Sequence, residues 1–200
     1  MSDKQAPTIL VFAASNHGQS INRALAEHAG REFTETVLPG AIMETLDIND
    51  YEMPIYSPER EKAGGIPEEA QKFYDKLGQA DALIVSFAEY NGSYTAAYKN
   101  LFDWTSRIKM QIYQDRPVVF LAASPGARKG QKVLADAVKI APFFGAKVAG
   151  SLAIGPFAEV FDREAGRLTD AEAAASLREA LDALKGALMA QDDLLKAAAA

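Results

Sequence analysis

The chain has 200 residues, enough to bury a full core without disulfides or metals, and a single domain is expected. Its 27 acidic against 21 basic side chains give a formal net charge of -6, which argues against nucleic acid or an anionic membrane as a partner. No cysteine is present, which excludes disulfides, thiolate metal sites and cysteine nucleophiles, and His17 and His28 are too few for a histidine-based metal cage.

The opening MSDKQAPTILVF lacks a basic region followed by a long apolar core, so it does not read as a secretory signal. No run approaches the ~18 apolar residues of a membrane span, and a soluble, cytoplasmic protein is expected. Thr8–Ala14 is an apolar strand that ends in the polar loop Ser15–Ser20, and a helix follows over Ile21–Phe33. A second strand is predicted at Ala41–Leu46. Asp47–Gly65, with Pro54, Pro58, Gly64 and Gly65, reads as a loop. Pro67, Glu68 and Glu69 suit a helix N-terminus, and that helix runs to about Leu77. ALIVSF (Ala82–Phe87) is a strand, Glu89–Ser93 a polar loop, and Ala96–Ile108 a helix. Pro117–Ala123 is a further strand, Ser124–Gly130 a Gly/Pro loop, Gln131–Phe144 a helix and Lys147–Ile154 a weaker last strand. A final helix starts at Thr169 or Asp170, with Leu177, Leu181, Leu184 and Leu188 on one face and its last four alanines expected to fray.

Strands apolar on both faces that alternate with helices imply a parallel sheet covered on both sides. Five such units point to the doubly wound order 2-1-3-4-5, with a ligand crevice at the carboxyl ends of the first and third strands. Three loops then line it. In Ala14–Asn22 the hydroxyls and free N–H groups at a helix N-terminus can hold a phosphate, with Ser15, Ser20 and Asn22 as the side-chain donors. Ser20 can equally serve only as a helix cap. His17 can pair with a phosphate as imidazolium or stand as a plain loop residue. In Ala88–Tyr94, Tyr90 offers stacking area, Asn91 polar contacts to a ring edge, and Gly92 close backbone approach, although Asn-Gly is also a turn signal anywhere. Glu89 has no second carboxylate or histidine beside it and receives no proton-transfer role. Taken alone, Ser124–Gly130 reads as an ordinary connection, and Arg128 can attract a nicotinamide phosphate or simply be solvated. Trp104 is read as a core or subunit-contact residue, and Phe143 and Phe144 as core.

Together these loops resemble the NADPH-dependent FMN reductase family, which includes flavin-dependent quinone, chromate and azo-dye reductases. The family pattern G-S-x-R-x-x-S-x-N stands here as Ala14-Ser15-Asn16-His17-Gly18-Gln19-Ser20-Ile21-Asn22. P-E-Y-N-G-S followed by K-N-x-x-D-W stands as Ala88-Glu89-Tyr90-Asn91-Gly92-Ser93 and Lys99-Asn100-Leu101-Phe102-Asp103-Trp104. A third, S-P-G-like loop stands as Ser124-Pro125-Gly126 with Gly130. The resemblance covers about Ile9 to Leu188. It implies a flavodoxin-like fold, noncovalent FMN, NADPH or NADH as donor, a small-molecule acceptor and a homodimer or homotetramer. It assigns the FMN phosphate to Ser15, His17, Ser20, Ile21 and Asn22, the isoalloxazine to Glu89, Tyr90, Asn91 and Gly92, and the ring border to Ser124 and Gly126. No side chain is assigned the chemistry, because the flavin carries it. His17 in place of arginine removes a fixed charge and a bidentate donor set, and one charge-assisted hydrogen bond contributes about 1.5–3 kcal/mol. Two further readings are an FMN electron carrier like flavodoxin and a flavin-free binding or regulatory domain on the same fold.

Overall fold

The computed structural model describes residues 6–198. The chain alternates strands and helices: β1 (Thr8–Ala14), α1 (Ile21–Glu32), β2 (Ile42–Leu46), α2 (Pro58–Gly64), α3 (Glu68–Gln79), β3 (Ala82–Phe87), α4 (Ala96–Ile108), β4 (Arg116–Ala123), α5 (Gln131–Ile140) and β5 (Ala146–Ile154). A short helix α6 (Phe157–Val160), a hairpin of β6 (Phe161–Asp162) and β7 (Arg167–Leu168), and the long helix α7 (Ala171–Ala198) complete it.

The main sheet is parallel throughout, in the expected flavodoxin-like order β2-β1-β3-β4-β5. Its three central strands are buried almost end to end, which is why they read as unbroken apolar runs. Side chains alternate between two faces. Leu10, Phe12, Leu83, Val85, Phe87, Val118 and Phe120 pack under α3, α4 and α5, against Phe73, Leu77, Tyr98, Trp104 and Val133. Ile9, Val11, Ile84, Val119 and Leu121 pack under α1 and α7, against Leu25, Phe33, Leu177, Leu181, Leu184 and Leu188. Each such large apolar side chain contributes roughly 1.5–3 kcal/mol on burial. Between β4 and β5 the register slips at Val118/Val119, and Gly150 brings β5 so close to α7 that an added Cβ would meet the Ala180 Cβ at 3.0 Å.

Several expectations are corrected. Asp47–Gly65 is not loop throughout, because it holds a 3-10 turn (Ile48–Tyr51) and α2, whose N-cap Ser57 accepts a hydrogen bond from the Arg60 N–H. The helix after Gly130 ends at Ile140. Pro142 cannot continue it, and the chain tightens into a 3-10 turn over Ala141–Phe144. That turn sends Phe144 inward, 4.6 Å from the Phe102 ring, and leaves Phe143 77 % exposed rather than in the core. Trp104 is buried as expected. The helix after β1 runs on through a π-helical turn, Phe33–Val37, and α7 continues to Ala198, so two of the four alanines expected to fray are helical while 199 and 200 lie outside the described residues. The hairpin was not anticipated. Among the described residues, no helix is long and apolar enough to cross a membrane.

Candidate functional site

Parallel strands bring the loops after β1, β3 and β4 to one edge of the sheet, and buried polar side chains fasten them together there. Asn22, in the first turn of α1, is 2 % exposed. Its Oδ1 accepts from the Ser86 hydroxyl at 2.8 Å and from the Ala123 N–H at 2.8 Å, and its Nδ2 donates to the Ala123 carbonyl at 3.0 Å. One amide thus ties α1 to the ends of β3 and β4. Thr95 caps α4 by accepting from the Tyr98 N–H, and its hydroxyl donates to the Ala14 carbonyl at 3.1 Å, joining β1 to the β3 loop. Glu89 links the second loop to the third. Gly130 gives α5 no side-chain cap, and the Glu89 carboxylate takes that place by accepting from the Val133 N–H at 3.0 Å.

The first loop presents hydrogen-bond donors. Ser15 and Ser20 are buried, and each accepts one backbone N–H, from His17 and Asn22 respectively. Neither hydroxyl proton finds an acceptor among the described residues, and neither do the N–H groups of Gly18 and Gln19. Ser20 therefore caps the helix while keeping its own O–H to give. These donors stand at the start of a 12-residue helix, an arrangement that suits an anion. A Cβ added at Gly18 would meet nothing within 4 Å, so the fold does not require glycine there and the space beside it is open. His17 is exposed, and Ile21 opens the helix half-buried.

The second loop closes as a tight turn. Tyr90 and Ser93 exchange backbone hydrogen bonds at 3.0 and 3.1 Å, with Asn91 at φ 53° and Gly92 at φ 75° between them. Two successive positive φ angles explain Asn-Gly here. The turn holds the Tyr90 ring 49 % exposed. Behind it Tyr94 packs on Phe87 and Tyr98, and burial, aided by the charge of Asp136, pushes its hydroxyl up to about 12, so it stays a donor at neutral pH. In the third loop the Ser124 hydroxyl donates to the Gly126 carbonyl at 3.0 Å, and Gly126, like Gly18, has open space where a Cβ would stand. Gly155 must be small, since a Cβ there would lie 2.8 Å from the Gly126 carbonyl oxygen.

Two hollows flank this edge. One of about 910 Å³ lies between the second and third loops, lined by Glu89, Asn91, Gly92, Ser124, Gly126 and Arg128 among others. The other, about 250 Å³, lies between Asn16 of the first loop, the segment 48–55 and the start of α4. The wall of the second hollow is held by α4: Asn100 donates to the Met53 and Pro54 carbonyls and accepts from the Tyr56 N–H, while the Trp104 indole N–H donates to the Pro54 carbonyl at 2.7 Å. Lys99 and Asp103 pair with each other on the exposed side. On the far side of the first loop Arg23 is paired with Asp47. Burial pushes the Asp47 carboxyl up, but the Asn49 N–H and the Arg23 guanidinium together outweigh it and hold it below its ordinary value.

The structure thus gathers all the expected site residues at one edge, with different tasks. Asn22, expected to offer its amide to a ligand, uses that amide inside the protein, and Glu89 commits one carboxylate oxygen to α5. Sequence reasoning missed Thr95 and Ser86. A Thr three residues before a helix amide is a cap signal, whereas nothing in the sequence marks Ser86 as the partner of Asn22.

The profile of the family described as NADPH-dependent FMN reductase matches residues 7–159. An NAD(P)H-dependent FMN reductase of Pseudomonas aeruginosa is 33% identical over 59% of this chain and 60% of its own length. A probable NADPH:quinone oxidoreductase of Oryza sativa is 30% identical over 62% of this chain and 59% of its own. The chain spans between about half and three-fifths of the length of such curated relatives. Among solved structures, a flavoenzyme NAD(P)H:(acceptor) oxidoreductase from Paracoccus denitrificans has a similar fold, with TM-score 0.69, 23% identity, and coverage of 92% of this chain and 98% of the other.

Proposed function

Because the chain belongs to the NADPH-dependent FMN reductase family, we propose that it is an oxidoreductase, one flavodoxin-like domain that binds FMN at the edge just described and passes electrons from NAD(P)H to a small acceptor such as a quinone or a flavin. The observation that carries this reading is the excess of donors in the first loop: buried Ser15 and Ser20 hydroxyls and the Gly18 and Gln19 N–H groups, all without acceptors in the described residues, at the N-terminus of α1. That donor set fits a phosphate.

When bound, FMN supplies the hydride acceptance and electron transfer that no side chain here can perform. The chain's residues bind and orient. Ser15, His17, Ser20 and the N–H groups of Gly18 and Gln19 hold the phosphate, and Asn22 acts behind them by fixing α1 against β3 and β4. Tyr90, Asn91 and Gly92 address the ring from a turn whose shape is set by two positive φ angles. Ser124 and Gly126 border the ring from the third loop, and Glu89 keeps that loop's helix in register with the second. Donor and acceptor take turns at the open edge of the 910 Å³ hollow in a ping-pong order, which intersecting rather than parallel kinetic lines would refute.

The chain also reads as a cytoplasmic homodimer or homotetramer. Exposed Met110 and Phe143 lie on adjoining segments joined by the Tyr113 N–H and Phe144 carbonyl, and a second subunit would cover them. Light scattering after gel filtration should then give two or four chain masses, and one chain mass would refute it. For the activity, the protein is loaded with FMN and mixed anaerobically with NADPH or NADH. Bleaching of the flavin absorbance is expected, followed by recovery on adding a quinone. Bound flavin that stays oxidised with both donors would make the protein an electron carrier instead.

A further inference from the structure

Accepting FMN as the ligand, we propose that Arg163, carried on the β6–β7 hairpin, supplies the fixed positive charge of the phosphate site and makes the protein discriminate FMN from riboflavin.

The first loop needs such a charge from elsewhere. Residues 15–22 contain no lysine or arginine, and the next cation along α1, Arg23, is already paired with Asp47. The chain as a whole is acidic, with a formal charge of -6, so the surroundings do not favour a dianion by themselves.

The hairpin brings the cation across 144 positions of sequence. The Arg163 Nη2 donates to the Gln19 carbonyl at 3.1 Å, on the same loop whose Gly18 and Gln19 N–H groups lack acceptors. A guanidinium has five N–H donors, so one such bond leaves most of them for a neighbouring anion. Arg163 forms no ion pair among the described residues. Its flanking Asp162 is turned to the hairpin itself, accepting from the Glu164 and Ala165 N–H groups at 2.9 and 3.0 Å.

The base of the arginine is also well anchored. Arg31 of α1 donates to the Gly166 carbonyl at 2.8 Å, and buried Phe161 stacks on Phe157 with ring centroids 4.5 Å apart. The Leu168 N–H is directed at His28 Nε2 at 3.5 Å. A cation held this way loses less freedom on meeting its ligand than one on an untethered loop. The hairpin lies beyond residues 7–159, the part matched by the family profile.

The test compares FMN with riboflavin, which lacks only the phosphate. Binding of each is titrated by quenching of flavin fluorescence for the unmodified protein and for Arg163→Gln, Arg163→Lys and Arg163→Ala, with thermal melts confirming that each variant folds. Arg163→Gln should weaken FMN about tenfold while changing riboflavin less than about twofold, and Arg163→Lys should recover part of the loss. Added salt should weaken FMN more in the unmodified protein than in Arg163→Gln. Equal weakening of both flavins would mean that Arg163 only steadies the loop, and no weakening of either would remove it from the site. Both results overturn the proposal while leaving the cofactor reading intact. An unmodified protein that binds no FMN would overturn the cofactor reading and this proposal together.

Discussion

The crevice edge has an inner rim and an outer rim that differ in everything but location. On the inner rim Asn22, Ser86 and Thr95 are polar, nearly sealed from solvent and hydrogen-bonded to strand ends. On the outer rim His17, Tyr90, Asn91 and Gly126 are polar, aromatic or small residues open to solvent. The inner rim positions the loops, and the outer rim is left to meet a ligand. Substitutions in the two should therefore separate stability from binding.

The largest expected effect is on the inner rim. Asn22→Leu fills the same space but strands the Ser86 hydroxyl and the Ala123 N–H and carbonyl, and should cost about 3 kcal/mol in urea unfolding. A loss under about 1 kcal/mol would break the comparison, because it would show that buried network to be dispensable. The outer rim should behave in the opposite way. Tyr90→Ala should leave stability within about 0.5 kcal/mol yet weaken FMN about tenfold, the loss of one stacked aromatic contact. Both quantities come from a melt and a fluorescence titration of the same sample.

Glu89 belongs to both rims, since it lines the larger hollow and caps α5. Glu89→Ala should lower stability by about 1 kcal/mol, and Glu89→Gln, which keeps an acceptor for the Val133 N–H, by less than half of that. The smallest effect concerns how the hairpin is fastened. Burial disfavours the His28 imidazolium, Arg31 repels it, and Glu32 opposes them only in part, so its pKa lies below the ordinary 6.5. The unfolded chain then takes up the proton first as pH falls. The contribution of neutral His28 is fully present above about pH 6.5 and is lost as pH falls toward the folded-state pKa. His28→Gln should flatten that part of the stability profile, and an unchanged slope would remove His28 as its source.

The sheet was legible because its three central strands are buried on both faces and so carry unbroken apolar runs. The crevice followed from strand order alone, and Asn91-Gly92 announced a turn through its backbone needs. What escaped the sequence was direction and reach. Nothing local tells that the Asn22 side chain turns inward to Ala123, 101 positions away, or that Arg163 returns to Gln19. The α2 helix was hidden by Pro58, Gly64 and Gly65, which also bound loops, although Ser57-Pro58-Glu59 is a sound helix start. Phe143 and Phe144 look identical in sequence, and only the 3-10 turn around Pro142 decides which of them turns inward.

The most direct test of the central claim is an equilibrium titration of the purified, folded protein with FMN, followed by flavin fluorescence and by the shift in melting temperature. The account predicts saturable quenching at one FMN per chain, with a melting temperature that rises with FMN concentration. Fluorescence that stays unquenched at high FMN, with a melting temperature that does not move, would contradict it.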